Sequence, residues 1–223
     1  MGTSVSEIEN LREIIENIRE ELDALDEARD EAQVILRDLH KLSSEAVYEV
    51  HRGNLEGARK KLDEAAELVS ELHELLGDFP ELLRTGFAEN HLQEYAEAEI
   101  LYSIVKNRKA PSPEEINLSP RAYLLGLLDA VGELRRIVVD ALREGDLDRA
   151  EEFLNVMEEI YSLTMTFDYP RAVVPNLKRK QDVVRSLLER TRSEVTIAGK
   201  TEELKRTLER GGVEDDSWKD FPD

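Results

Sequence analysis

Glu94 and Glu97 are carboxylates three residues apart in the run Leu92-Gln93-Glu94-Tyr95-Ala96-Glu97-Ala98. Asp148 and Glu152, four apart, follow in Gly145-Asp146-Leu147-Asp148-Arg149-Ala150-Glu151-Glu152. Either spacing puts both side chains on one face of an α-helix. Two such faces brought together would make a hard-oxygen cage suited to Mg²⁺ or Mn²⁺. Four carboxylates near one point repel unless protons or cations compensate them. A divalent ion would remove that repulsion, polarise a phosphate oxygen and lower the pKa of water held there.

Spacing alone does not single these residues out. Glu13/Glu16, Glu64/Glu67 and Glu71/Glu74 share the first spacing, and Glu27/Glu31 and Glu45/Glu49 the second. A solvated face is the default for such pairs. Asp129 and Glu133 form another pair, in Tyr123-Leu124-Leu125-Gly126-Leu127-Leu128-Asp129-Ala130-Val131-Gly132-Glu133-Leu134-Arg135-Arg136. Acids embedded in apolar sequence need a partner, which Arg135 or Arg136 can supply in a structural ion pair. A supporting role behind a catalytic site is the other reading. Gly126 and Gly132 would permit close helix approach. His40, His51, His73 and His91 contain no H-x-x-x-H pair, which argues against a zincin-type site. His91 precedes Glu94 by three, but di-iron bundles use Glu-x-x-His, twice and in the opposite order. No Gly-rich phosphate loop and no nucleophile triad signature is present.

Helices must position these acids. Apolar residues recur at helical spacing from residue 6 to 51, uninterrupted by Gly or Pro until Gly53, so one very long N-terminal helix is expected. Asn54 caps a second helix ending at Gly77. Pro80 opens a third, to about Asn107, carrying Glu94 and Glu97. Pro111 and Pro113 mark a loop, and Ser119-Pro120 starts a fourth helix that ends at Gly145. Asp146 caps the fifth, which runs to near Phe167. A sixth starts after Pro170, with Pro175 in its first turn, and reaches about Arg210. Arg52-Gly53-Asn54-Leu55 echoes Glu144-Gly145-Asp146-Leu147, a common helix-hairpin device. The fold is all-α: residues 1–210 form one helical domain, and 211–223, with Trp218, an acidic tail expected to be disordered.

Of the 223 residues, 40% are hydrophobic, enough for a sizeable core. Zero cysteines exclude disulfides and thiolate metal sites. No run approaches a membrane span and no signal peptide opens the chain, so a cytoplasmic protein with no membrane partner is expected. A net charge of -20 argues against a uniformly basic nucleic-acid binder. Segregated basic residues or bridging metals would still allow one. Arg171, Lys178, Arg179, Lys180, Arg185, Arg190 and Arg192 face only Asp182 and Glu189 in the stretch 171–192, a local +5. The plain alternative is a solvated helix face.

Four separated segments in this order resemble the translin family, and most closely the archaeal homologues of translin-associated factor X. They are the Leu92 to Ala98 run, Tyr123 to Arg136, Gly145 to Asp148, and Leu177-Lys178-Arg179-Lys180-Gln181-Asp182-Val183-Val184-Arg185. The likeness covers roughly residues 25–195. It implies a translin-like bundle of about six to seven antiparallel helices. Translin-associated factor X carries a Mg²⁺-dependent endoribonuclease site of acidic residues, whereas translin lacks the full set and mainly binds RNA and DNA. Carried onto this chain, the acidic set falls on Glu94, Glu97, Asp148 and Glu152, all present. The resemblance therefore implies the catalytic branch, with Mg²⁺ (or Mn²⁺) as cofactor, single-stranded RNA as substrate and single-stranded DNA as a further ligand. Asp129 and Glu133 would stand behind the site. The family's closed octameric shells imply a homo-octamer, with basic residues such as Arg29, Arg37, Lys41, Lys178, Arg179, Lys180 and Arg185 facing inward. A non-catalytic translin-like binder and a structural scaffold are the alternatives.

Overall fold

The computed structural model describes residues 10–84 and 86–211. They form seven helices and, among the described residues, no strand: α1 Leu11–His51, α2 Leu55–Leu75, α3 Pro80–Arg84, α4 Gly86–Asn107, α5 Pro120–Glu144, α6 Leu147–Thr164 and α7 Leu177–Gly211. The all-α reading and the very long first helix agree with the sequence. Residues 1–9 and, apart from Gly211, the acidic tail lie outside the described residues. No described helix is long and apolar enough to cross a membrane.

The helix starts follow their caps. Asn54 Oδ1 accepts from Gly57 N–H at 3.1 Å, and Asp146 Oδ1 from Arg149 N–H at 3.0 Å. Ser119 Oγ accepts from Ala122 N–H at 3.1 Å. Each bond satisfies an amide that the first helical turn leaves unpaired. Gly53 and Gly145 precede two of these caps at φ 74° and 78°, where a side chain would be strained.

The stretch expected as a third helix, Pro80 to about Asn107, is helical as α3 and α4 on either side of Thr85, which lies outside the described residues. Two boundaries differ from the sequence expectation. The last helix starts at Leu177 rather than after Pro170, because Asn176 takes a left-handed φ of 63° just after Pro175. The fifth predicted helix, α6, stops at Thr164. The Gln181 amide donates to the Thr164 and Phe167 carbonyls there, at 2.9 and 3.0 Å.

The chain forms two compact units, Met1–Gly126 and Leu127–Asp223. In the first, α1 packs on α2 and α4, α2 on α4, and α3 on α4. Leu36, Leu39, Leu62, Leu72, Tyr95, Ile100 and Leu101 are fully buried. Only the later part of α1 contributes: its buried residues begin at Ala28, while Leu11, Ile14, Ile15, Ile18 and Leu22 are exposed. In the second unit α6 packs on α7, and Leu134, Phe153, Met157, Val184 and Leu188 are buried.

Candidate functional site

α4 is buried on most of its circumference, including Ala88, Leu92, Tyr95, Ala96, Ala98, Ile100, Leu101 and Ile104. Polar groups on such a helix need partners. Glu89, 7% exposed, is ion-paired with Arg121. Glu99, 4% exposed, accepts two hydrogen bonds from Arg59, at 2.9 and 3.0 Å. Tyr95 Oη donates to Glu99 at 3.2 Å. Burial, and then the Glu99 charge, holds the Tyr95 phenol far above its ordinary pKa, so it stays a donor. Burial works against the Arg59 charge, but the Glu99 hydrogen bonds and charge outweigh it and raise the pKa.

Glu94 and Glu97 are half-buried on this helix. Glu94 Oε2 lies 2.5 Å from His40 Nδ1, on α1, and 3.7 Å from His91 Nδ1. The two imidazoles meet edge to face, with ring centroids 5.9 Å apart. One ligand atom each from His40, His91 and Glu94 fall within 4.8 Å of one another. His91 Nδ1 is buried without a hydrogen-bond partner, an orphan that a bound cation would satisfy. These donors fit a divalent ion. Sequence spacing brought His91 and Glu94 into view but missed His40, which comes from a different helix. The available signal was its register: His40 follows Leu36 by four and precedes Ser43 by three, both buried, so it borders the packed stripe.

Gly126 brings α5 against the same stretch of α4. A Cβ there would meet Ala96 Cβ and the Gln93 carbonyl, each at 2.6 Å. The predicted close approach holds at Gly126 and not at Gly132, where a Cβ would meet nothing within 4 Å.

Asp148 and Glu152 belong to the second unit, on α6, and both are exposed. Asp148 sits in the first turn, where an acid also favours the helix dipole. It lines an open cleft of about 560 Å³ with Glu151 and with Glu202, Glu203 and Arg206 of α7. Glu152 is not among the lining residues of that cleft. Asp129 is only part-buried, and its partner is Lys180 rather than Arg135 or Arg136. Arg135 instead makes a two-pronged bond to Glu194, at 2.9 Å for each contact, and also reaches Thr191. Arg136 lies 3.9 Å from Glu133.

The predicted phosphate contacts divide. Lys180 is engaged by Asp129, and Arg185 bonds Tyr161 Oη at 3.0 Å. Arg29 lies 3.2 Å from Asp30, and Lys41 lies 3.9 Å from Glu45. Arg37, Lys178 and Arg179 are exposed, with no ion-pair partner among the described residues.

Comparison with known proteins gives these features a lineage. The profile of the Translin family matches residues 10–194. An uncharacterised protein of Methanocaldococcus jannaschii is 34% identical, over 87% of this chain and 82% of its own length. Translin-associated protein X of Mus musculus is 25% identical, over 65% of this chain and 64% of its own length. Among solved structures, AfC3PO in complex with duplex RNA superposes with a TM-score of 0.78 at 32% identity, covering 84% of this chain and 97% of that one. Apo-NeC3PO gives 0.75 at 25% identity, covering 88% and 100%. With a profile match over that span and these likenesses in fold, the chain belongs to the translin family.

Proposed function

We propose that this protein binds RNA and cuts single-stranded RNA as a metal-dependent endoribonuclease, with Glu94, Glu97, Asp148 and Glu152 as its acidic set. The observation that carries the reading is the chain's membership of the translin family, taken with the carboxylates Glu94, Glu97, Asp148 and Glu152 at the positions onto which the family resemblance carries the catalytic set. The solution of AfC3PO with duplex RNA favours RNA as the ligand. Glu94 and Glu97 share one face of α4, and Asp148 and Glu152 one face of α6. Mg²⁺ or Mn²⁺, when bound, supplies charge to a phosphate oxygen and acidifies water. Arg37, Lys178 and Arg179, exposed and unpaired among the described residues, hold the strand by its phosphates. A flexible single strand can bend into a recessed site. Assembly into a closed homo-octamer would turn the basic residues inward and leave the net charge of -20 mostly outside; light scattering would then read eight times the 25.5 kDa chain mass.

Cleavage of labelled RNA is the test. Glu97→Ala should lower Mg²⁺- or Mn²⁺-stimulated cutting about a hundredfold or more, the scale of a lost catalytic group, with helical content unchanged by circular dichroism. A variant that cuts like the wild type overturns the assignment. The second reading is a translin-like binder of single-stranded RNA or DNA that does not cut. It draws on the exposure of Asp148 and Glu152 and on the structural use α6 already has for Asp148. RNA binding without cleavage in either metal would select it.

A further inference from the structure

We infer that His40, His91 and Glu94 form a mixed nitrogen–oxygen metal site that takes a first-row transition ion of the Zn²⁺ or Co²⁺ kind in preference to Mg²⁺. The inference rests on the proposed function only for the catalytic use of Glu94. The metal site itself stands on its own geometry.

The carboxylate Oε2 of Glu94 is common to both short contacts, 2.5 Å to His40 Nδ1 and 3.7 Å to His91 Nδ1. All three donor atoms fall within 4.8 Å. Ligand atoms held at about 2.1 Å from one ion lie about 3–4 Å apart, so small side-chain rotations would close the set. Coordination through Nδ1 of each imidazole would leave Nε2 to carry the proton, the neutral form that ligates. The buried, unbonded Nδ1 of His91 is costly in a protein interior unless something occupies its lone pair. His40 is anchored on α1 and His91 and Glu94 on α4, two helices packed together, so the donors converge from a rigid scaffold. Donor chemistry decides the ion. Mg²⁺ prefers oxygen and retains its waters, whereas imidazole nitrogen selects the later first-row metals. Two histidines and one carboxylate also leave coordination positions open, the pattern of reactive rather than purely structural zinc sites.

The test is metal binding by the full chain, without RNA. Titration calorimetry of metal-free protein with Zn²⁺, Co²⁺ and Mg²⁺ should give at least tenfold tighter binding of the transition ions. His40→Ala and His91→Ala should each weaken Zn²⁺ about tenfold or more, the scale of a removed ligand, and leave Mg²⁺ affinity within twofold. The Co²⁺ absorption spectrum should report nitrogen ligation in the wild type and change in both variants. Wild-type Zn²⁺ affinity in both histidine variants, or no Zn²⁺ binding by the wild type, overturns the inference. If RNA cleavage nonetheless depends on Glu97, the nuclease reading survives that failure. Histidine-dependent Zn²⁺ binding in a protein that cuts no RNA would instead sink the nuclease reading and leave the metal site standing.

Discussion

The two units treat buried polarity differently. The first buries ionised groups: Glu89 and Glu99 are 7% and 4% exposed and are tied to Arg121 and Arg59. Among the described residues of the second unit, the buried polar groups are neutral, namely Thr164, Gln181 and Thr191. Its ion pairs, such as Arg192 with Glu158 at 2.6 Å, lie toward the surface. The proposed acidic set repeats the contrast. Glu94 and Glu97 sit half-buried, with two imidazoles beside Glu94, while Asp148 and Glu152 are exposed. A first unit that fixes its charges in place suits preformed ligand geometry; the second carries its proposed acids at the surface.

The largest test of that contrast removes a buried charge's partner. Arg59→Met leaves Glu99 uncompensated beside the Tyr95 hydroxyl. It should cost about 3 kcal/mol in urea unfolding, the low end for a broken buried pair, because a third of the Arg59 side chain meets water. Replacing both partners, with Arg59→Met and Glu99→Leu together, should recover most of the loss, since an apolar pair of similar volume needs no charge compensation. If the double variant is no more stable than the single one, the cost comes from lost packing and not from the stranded carboxylate.

The neutral counterpart in the second unit is Gln181, whose amide holds the Thr164 and Phe167 carbonyls beyond α6. Gln181→Leu leaves both acceptors without that donor and should cost about 1–3 kcal/mol. The comparison predicts the order: Arg59→Met should destabilise at least as much as Gln181→Leu. The reverse order would mean that the surface-paired unit carries the more demanding interior.

Much of this was legible beforehand, for identifiable reasons. Caps at Asn54, Ser119 and Asp146 are local chemistry, so the helix starts they set could be read directly. Gly126 announced a close approach and makes one, but Gly132 meets nothing, because a glycine states permission and not contact. Asp129, for which Arg135 and Arg136 on its own helix are the nearest cations in sequence, pairs instead with Lys180, 51 residues away. His40 was missed for the same reason, being 54 residues from Glu94. Helical periodicity tells which residues share a face, and the choice of partner across helices depends on a register that the sequence does not print. The start of α7 turned on a single left-handed residue, Asn176, a conformation Asn tolerates but does not require.

The smallest predicted effect is a proton's. Burial lowers the pKa of His73, and the side-chain amide of Asn117 lies 3.0 Å from its Nδ1. A neutral Nδ1 accepts a hydrogen bond from that amide; a protonated one cannot. In the unfolded chain the imidazole titrates near 6.5. As the pH falls through that value the unfolded state therefore takes up the proton first, and stability drops until the depressed folded value is reached. His73→Gln keeps an acceptor and removes the titration. Its unfolding midpoint in urea should consequently fall less than that of the wild type between pH 7 and pH 5. The difference between the two proteins isolates His73 from the other histidines. Parallel pH profiles would show that the first unit's interior, for all its fixed charges, does not discriminate against a new one at this position.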